Sequence, residues 1–212
     1  MKELRSLLNQ ASPQGVFPKR NLIDISINKA ELMSAVEETV KNDGQEIFRP
    51  EAVERQVDIL SRWLRGDGEF SIKTTVFLWG NVGTGKTTLL RALKKVLEQK
   101  NKVVHLFLAA ELSDWAAVDA EKFRQEKTAA FLAIDDLGEE PEKVMNYGTP
   151  IYPMRTIFEE RYSLLFPTFI SANISPQEVG ERYGERVADR LGQIAFSIKF
   201  PGESLRSWSC FY

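Results

Sequence analysis

The sequence predicts an α/β protein in three layers, a five-stranded parallel sheet with helices on both faces, and three observations predict it. From residue 74 onward short apolar runs alternate with amphipathic stretches of helical period, the pattern that builds a parallel sheet through crossover helices. The first run, Thr74-Thr75-Val76-Phe77-Leu78-Trp79, leads directly into Gly80-Asn81-Val82-Gly83-Thr84-Gly85-Lys86-Thr87-Thr88, the G-x-x-x-x-G-K-[ST] spacing of a phosphate-binding loop between strand and helix. A later run, Ala130-Phe131-Leu132-Ala133-Ile134, ends in the paired carboxylates Asp135 and Asp136. Ligands of open parallel sheets bind at the carboxyl ends of the strands, and both motifs fall there.

Residues 1–68 differ in character from the rest of the chain and are expected to form a helical region ahead of a nucleotide-binding core over 69–212. Asn28-x-x-Glu31 has the spacing of a capping box, and Leu32, Met33, Val36 and Val40 then repeat with helical period up to Gly44. A second helix is expected over 51–65, with Val53, Val57, Leu60 and Leu64 on one face and Gly66-Asp67-Gly68 closing it. These helices either brace the core or offer a docking surface. Strands are expected over 74–79, 103–108, 129–134, 168–172 and 194–200. Leu89, Leu90, Leu93, Val96 and Leu97 mark a helix over 86–99, and further helices are expected near 109–127, over 151–165 and over 176–192. Pro167 stops the third of these four. Ser175-Pro176-Gln177-Glu178 joins an N-cap, a first-turn proline and a capping glutamate, and Tyr183-Gly184 breaks the last helix.

The loop residues have separate mechanical roles. Gly80, Gly83 and Gly85 allow close backbone approach, and the freed N–H groups of 80–88 join the positive end of the next helix to cradle an anion. Lys86 supplies a mobile charge for β- and γ-phosphates, and Thr87 a hydroxyl for Mg²⁺. Asp135, at the end of a buried strand, is placed to face Thr87 across the same Mg²⁺, and Asp136 to polarise an attacking water as general base. The expected ligands are therefore ATP and Mg²⁺. The strand Thr168-Phe169-Ile170-Ser171-Ala172 runs into Asn173, whose amide either holds the attacking water or caps the following turn. Arg186 and Arg190 fall one helical turn apart on one face. Either one of them reaches a neighbouring subunit's nucleotide, or they sit among surface acids. Arg206, in Gly202-Glu203-Ser204-Leu205-Arg206, follows the last strand, from where a guanidinium can reach back to the phosphates.

Composition narrows the function. Lysine and arginine number 28 against 30 aspartates and glutamates, with no long run of one sign, so a strongly basic nucleic-acid binder is not indicated. A local patch, or a surface shared between subunits, remains open to DNA. The single cysteine, Cys210, excludes a disulfide framework and a cysteine-based metal site. The single histidine, His105, lies inside the apolar run 103–108, where a buried or edge-strand role fits better than ligation. No apolar stretch approaches membrane-spanning length, and the first residues lack the apolar core of a signal peptide, so a cytoplasmic protein with no membrane partner is expected. The aromatic tail at 207–212 either tucks onto the sheet edge or meets a partner.

Taken in order along 74–207, these motifs resemble the AAA+ ATPases of the bacterial helicase-loader group, the DnaC/DnaI type, and the related IstB-type transposition helpers. The residues that carry the resemblance are 80–88, Ile134-Asp135-Asp136-Leu137-Gly138-Glu139-Glu140, Arg161-Tyr162, 167–173, and the run from Tyr183-Gly184-Glu185-Arg186 through Asp189-Arg190-Leu191 to 202–206. The resemblance implies that Asn173 is the sensor-1 residue, Arg190 the arginine finger with Arg186 as companion or substitute, and Arg206 the sensor-2 arginine. It also implies ATP hydrolysis in a homo-oligomer assembled on single-stranded DNA, with a replicative DNA helicase as partner, or a transposase in the IstB-like alternative. The family's DNA-contacting segment corresponds to 109–127, with Lys122, Arg124 and Lys127 among five acidic residues. The family has little or no C-terminal lid. Two features depart from it: Asp136 stands where many AAA+ proteins carry glutamate, which predicts slow hydrolysis, and the amino-terminal region lacks a zinc-bearing domain. A small-molecule P-loop kinase and a non-hydrolysing nucleotide switch are the remaining readings.

Overall fold

A computed structural model describes residues 26–43, 50–66, 73–202 and 204–205. In chain order these form α1 (Lys29–Asn42), a 3-10 turn (Pro50–Val53), α2 (Glu54–Leu64), β1 (Thr75–Gly80), α3 (Lys86–Gln99), β2 (His105–Leu108), α4 (Ala109–Val118) and α5 (Ala120–Lys127). There follow β3 (Leu132–Leu137), β4 (Val144–Asn146), β5 (Thr149–Ile151), α6 (Pro153–Leu164), β6 (Thr168–Ala172), α7 (Pro176–Tyr183), α8 (Glu185–Ile194) and β7 (Ala195–Phe200).

Five strands make one wholly parallel sheet in the order β2-β3-β6-β1-β7. The strands read as nearly continuous apolar runs because both faces are covered. Side chains on a strand alternate between faces, so Val76 and Leu78 join one apolar cluster while Phe77 joins the other. The first cluster lies under α1, α2 and α3, through Leu32, Val36, Val57, Leu60, Leu64, Leu89, Leu93 and Leu97. The second lies under α4, α6, α7 and α8, through Leu112, Ile157, Phe158, Val179 and Val187. Each fully buried leucine contributes about 1.5–3 kcal/mol of transfer free energy. The ion pairs that decorate α1, such as Arg91 with Asp43 and Lys100 with Glu31, are exposed and add little.

Both capping boxes form. Asn28 accepts from the Glu31 N–H while Glu31 accepts from the Asn28 N–H, and Ser175 with Glu178 does the same for α7. The break at Tyr183-Gly184 separates α7 from α8.

Three stretches differ from expectation, each for a tertiary reason. The third strand occupies 132–137 and not 129–134: Arg161 takes the Ala129 carbonyl that a strand would have offered to a neighbour, together with the Lys127 carbonyl at the end of α5. That guanidinium is 1 % exposed and also donates to Thr168 Oγ1 and the Pro167 carbonyl. Burial pulls its pKa down to about 9, which leaves it charged at neutral pH. The segment 109–127 is two helices, since Asp119 accepts from the Lys122 N–H at 2.9 Å and starts a new one. The hairpin β4–β5 has no counterpart among the strands that the sequence predicts. Its turn sets Tyr147 at φ 46° and Gly148 at φ 84°, and Asn146 Nδ2 donates to the carbonyls of Ala116 and Ala117 at the end of α4. His105 lies on the edge strand β2, with Nδ1 2.5 Å from Glu126 Oε2.

A candidate nucleotide site at the carboxyl ends of the strands

The loop 80–88 joins β1, an interior strand between β6 and β7, to α3. Gly80 has φ 145°, and a Cβ there would collide with the Phe200 carbonyl of β7. A strap after β7 lies over the loop: Leu205 N–H donates to the Gly83 carbonyl at 2.8 Å, and Asn81 Nδ2 donates to the Gly202 carbonyl at 3.0 Å. Unlike α1 and α7, α3 begins without a side-chain cap, so its first N–H groups are left for a ligand. Lys86 is 4 % exposed, its ammonium donating to the carbonyls of Gly80 at 2.8 Å and Asn81 at 2.7 Å. A phosphate is a better acceptor for an ammonium than a neutral carbonyl, because both partners of the bond are then charged. Thr88 and Thr84 are buried, and Val82 is exposed at the tip.

Thr87 and Asp135 meet although they lie in different elements: Thr87 Oγ1 donates to Asp135 Oδ1 at 2.9 Å. Asp135 is 3 % exposed. The Ser171 hydroxyl and the Asp136 N–H (3.2 Å) address the same Oδ1. These bonds converge on one carboxylate oxygen, so a hydroxyl and a carboxylate stand together as hard-cation ligands suited to Mg²⁺. The pairing of β3 with β6 shifts register between Ile134 and Leu137, and within that irregularity Asp136 has φ 54°. Its N–H leaves the strand ladder and reaches Ser171 Oγ at 3.2 Å. Such a left-handed non-glycine residue costs on the order of 1–3 kcal/mol, a strain of the kind held at working sites.

Asn173 follows β6, the strand between β1 and β3, and donates through Nδ2 to Glu139 Oε1 at 3.2 Å. The turn after Asp136 is held by a further residue that the sequence does not single out as functional. Glu140, 1 % exposed, accepts from the Gly138 N–H at 2.8 Å and from the Tyr183 hydroxyl at 2.5 Å. Burial, with Glu140 beside it, pushes the Tyr183 phenol well above its ordinary pKa, so it stays a donor. Arg182 donates to the Glu140 carbonyl and stands 3.5 Å from its carboxylate.

Arg186 and Arg190 share one face of α8 as their spacing predicts, and both reach Glu159 of α6, at 3.5 and 3.3 Å. Arg190 also lies over the Tyr162 ring at 5.0 Å. The helix leads into the first residue of β7, paired with Thr75 at the end of the sheet away from the loop, and neither arginine is brought to the chain's own phosphate loop. Arg206 and the tail lie outside the described residues. In α5, Lys122, Arg124 and Lys127 are already on Glu126, Glu121 and Glu160.

This strand order, with the phosphate loop on the interior strand β1 and the paired aspartates two strands away on β3, defines a P-loop nucleotide-binding fold of the AAA+ class. No protein-family model matches the chain. Over 151 residues it is 29 % identical to the replicative helicase loader DnaI of Bacillus subtilis (strain 168), a match covering 62 % of this chain and 47 % of that protein, so the chain spans about half the length of the curated relative it matches. The crystal structure of DnaI superposes with a TM-score of 0.53 at 25 % identity, covering 63 % of this chain and 73 % of that one. The DnaC helicase loader gives 0.54 at 20 % identity, over 71 % and 90 % of the two chains, and AMPPCP-bound DnaA from Aquifex aeolicus 0.51 at 23 %, over 70 % and 47 %; at these identities the likeness is one of fold. In sequence the chain is similar to the DnaI helicase loader, and in fold to the AAA+ domain that DnaI carries.

Proposed function

We propose that this protein binds and hydrolyses ATP between subunits of a homo-oligomer and uses the cycle to deliver a replicative helicase to single-stranded DNA. One observation carries the reading of the site: Thr87 and Asp135 meet at 2.9 Å beside the uncapped start of the helix that holds the buried Lys86. Lys86 would leave the Gly80 and Asn81 carbonyls for the β- and γ-phosphates. Thr87 and Asp135 would hold Mg²⁺, which neutralises phosphate charge when bound. Asp136 would take a proton from the attacking water as its oxygen bonds to the γ-phosphorus, the bond to the bridging oxygen breaks and ADP leaves. Asn173, next to the same turn, would orient that water.

Arg190 supports the inter-subunit part of the reading: it sits away from its own loop and is tethered by the half-exposed Glu159 and a ring face, contacts a neighbour's phosphate can replace. Arg186, 74 % exposed, would assist, and Arg206 would approach the phosphates from the strap. DNA contact through α5 requires its three cations to exchange carboxylates for phosphates.

ATPase activity per subunit is expected to rise with protein concentration and with single-stranded DNA. Lys86→Ala should abolish nucleotide binding, and Arg190→Ala should lower turnover by about 10³-fold or more while leaving ATP affinity nearly intact. Activity independent of dilution together with an unaffected Arg190→Ala variant would sink the inter-subunit site. Capture of a hexameric helicase by Asp136→Asn protein in ATP supports loading. Capture of a transposase moves the function to the IstB-like alternative.

A further inference from the structure

We propose that Glu140 is a positioning residue that fastens the Asp135–Asp136 turn to the arginine-bearing helix α8, so that the water-activating end of one site and the arginine offered to the next move as one unit. The proposal rests on the inter-subunit reading above and adds the link between its two halves. Glu140 is buried three residues past Leu137, the last residue of β3, and its two carboxylate oxygens serve different elements. Oε2 holds the Gly138 N–H at 2.8 Å, inside the turn whose first bond runs from Glu139 N–H to the Asp136 carbonyl at 3.2 Å. Oε1 holds the Tyr183 hydroxyl at 2.5 Å, and Arg182 adds its own bond to the Glu140 carbonyl.

Tyr183 is the last residue of α7, with its ring edge-on to Phe158 at 5.8 Å. Gly184 alone separates it from α8, closing one helix and opening the next, with its carbonyl accepting the N–H groups of Val187 and Ala188. A displacement of the Asp136 turn therefore reaches Arg186 and Arg190 through one carboxylate, one phenol and one glycine. A carboxylate that merely capped the Gly138 N–H would not need to be buried against a phenol and a guanidinium, an arrangement that is costly unless every partner is kept.

The test uses the full chain with Glu140→Gln, Tyr183→Phe and the double variant; the second keeps the ring on Phe158 and removes only the hydroxyl. Backbone hydrogen exchange of the nucleotide-free protein is read at 136–139, at 185–190 and, as a control for folding, at 86–99. Each single variant should speed exchange in both 136–139 and 185–190 by roughly tenfold, with 86–99 unchanged. In steady-state ATPase assays kcat should fall by roughly tenfold with KM for ATP within about twofold, and the double variant should be no worse than either single one. Faster exchange at 136–139 alone, or additive losses in the double variant, overturns the link to α8. An unchanged kcat overturns the positioning role. Coupled exchange in a protein that hydrolyses no ATP leaves the link standing and removes the hydrolytic reading instead.

Discussion

Ser171 addresses both candidate carboxylate residues at once. Its hydroxyl donates to Asp135 Oδ1 and accepts the Asp136 N–H, from a position with no solvent exposure. Ser171→Ala removes one of the three donors that converge on Asp135 Oδ1 and one of the two acceptors of the Asp136 N–H. It should lower unfolding free energy by about 1–3 kcal/mol in urea denaturation, and raise the Mg²⁺ concentration needed for half-maximal turnover. A stability loss with an unmoved Mg²⁺ titration would assign Ser171 to the fold alone. The meeting of Thr87 with Asp135 was legible in the sequence, because the two motifs read there as phosphate- and cation-binding fix both residue type and spacing. Ser171 was not, since a lone hydroxyl inside Thr168-Phe169-Ile170-Ser171-Ala172 reads as an ordinary strand residue until β6 is known to lie beside β3.

The elements were legible where the chain caps itself and less so where a distant side chain sets the boundary. Asn28 with Glu31, and Ser175 with Glu178, announce α1 and α7 locally, whereas the start of β3 depends on Arg161 and the hairpin's seating on Asn146 reaching α4. The join of α5 to the edge strand β2 is likewise tertiary: Glu126, buried, holds Lys122 at 2.6 Å and His105 at 2.5 Å. Burial pushes its carboxyl upward in pKa, but the bonds from Lys122 and His105 outweigh it and the net displacement is downward from the usual 4.5. A carboxyl with a lowered folded pKa contributes stability that is present above 4.5 and is lost as pH falls through the folded value. Glu126→Gln should thus be less stable than the native chain at pH 7, on the order of 1–3 kcal/mol, with the gap closing below about pH 4.5 in denaturation series. A gap that persists into acid would mean that lost packing, not lost charge, is responsible.

For the molecule as a whole, α1 and α2 belong to the same apolar cluster as α3 and one face of the sheet, which favours the bracing role for the amino-terminal region. Deleting residues 1–66 should uncover Leu89, Leu93 and Leu97 and abolish cooperative folding, and Leu32→Ala or Leu60→Ala alone should cost about 2–5 kcal/mol. A truncated chain that melts cooperatively at the original midpoint would favour docking. The alternation of apolar runs announced a parallel sheet but not its order, because which strands become neighbours depends on how crossovers share two faces. That order has a consequence for biosynthesis. β1 carries the phosphate loop near the middle of the sheet, yet Thr75 pairs with Thr168 and Ala195, both in the last quarter of the chain. On the ribosome this apolar strand emerges first and waits, both edges open, until its partners at 168–172 and 195–200 have been made. Such long-range pairing slows folding and leaves an apolar edge exposed meanwhile. The nucleotide loop cannot take shape until the carboxyl-terminal third arrives to flank it.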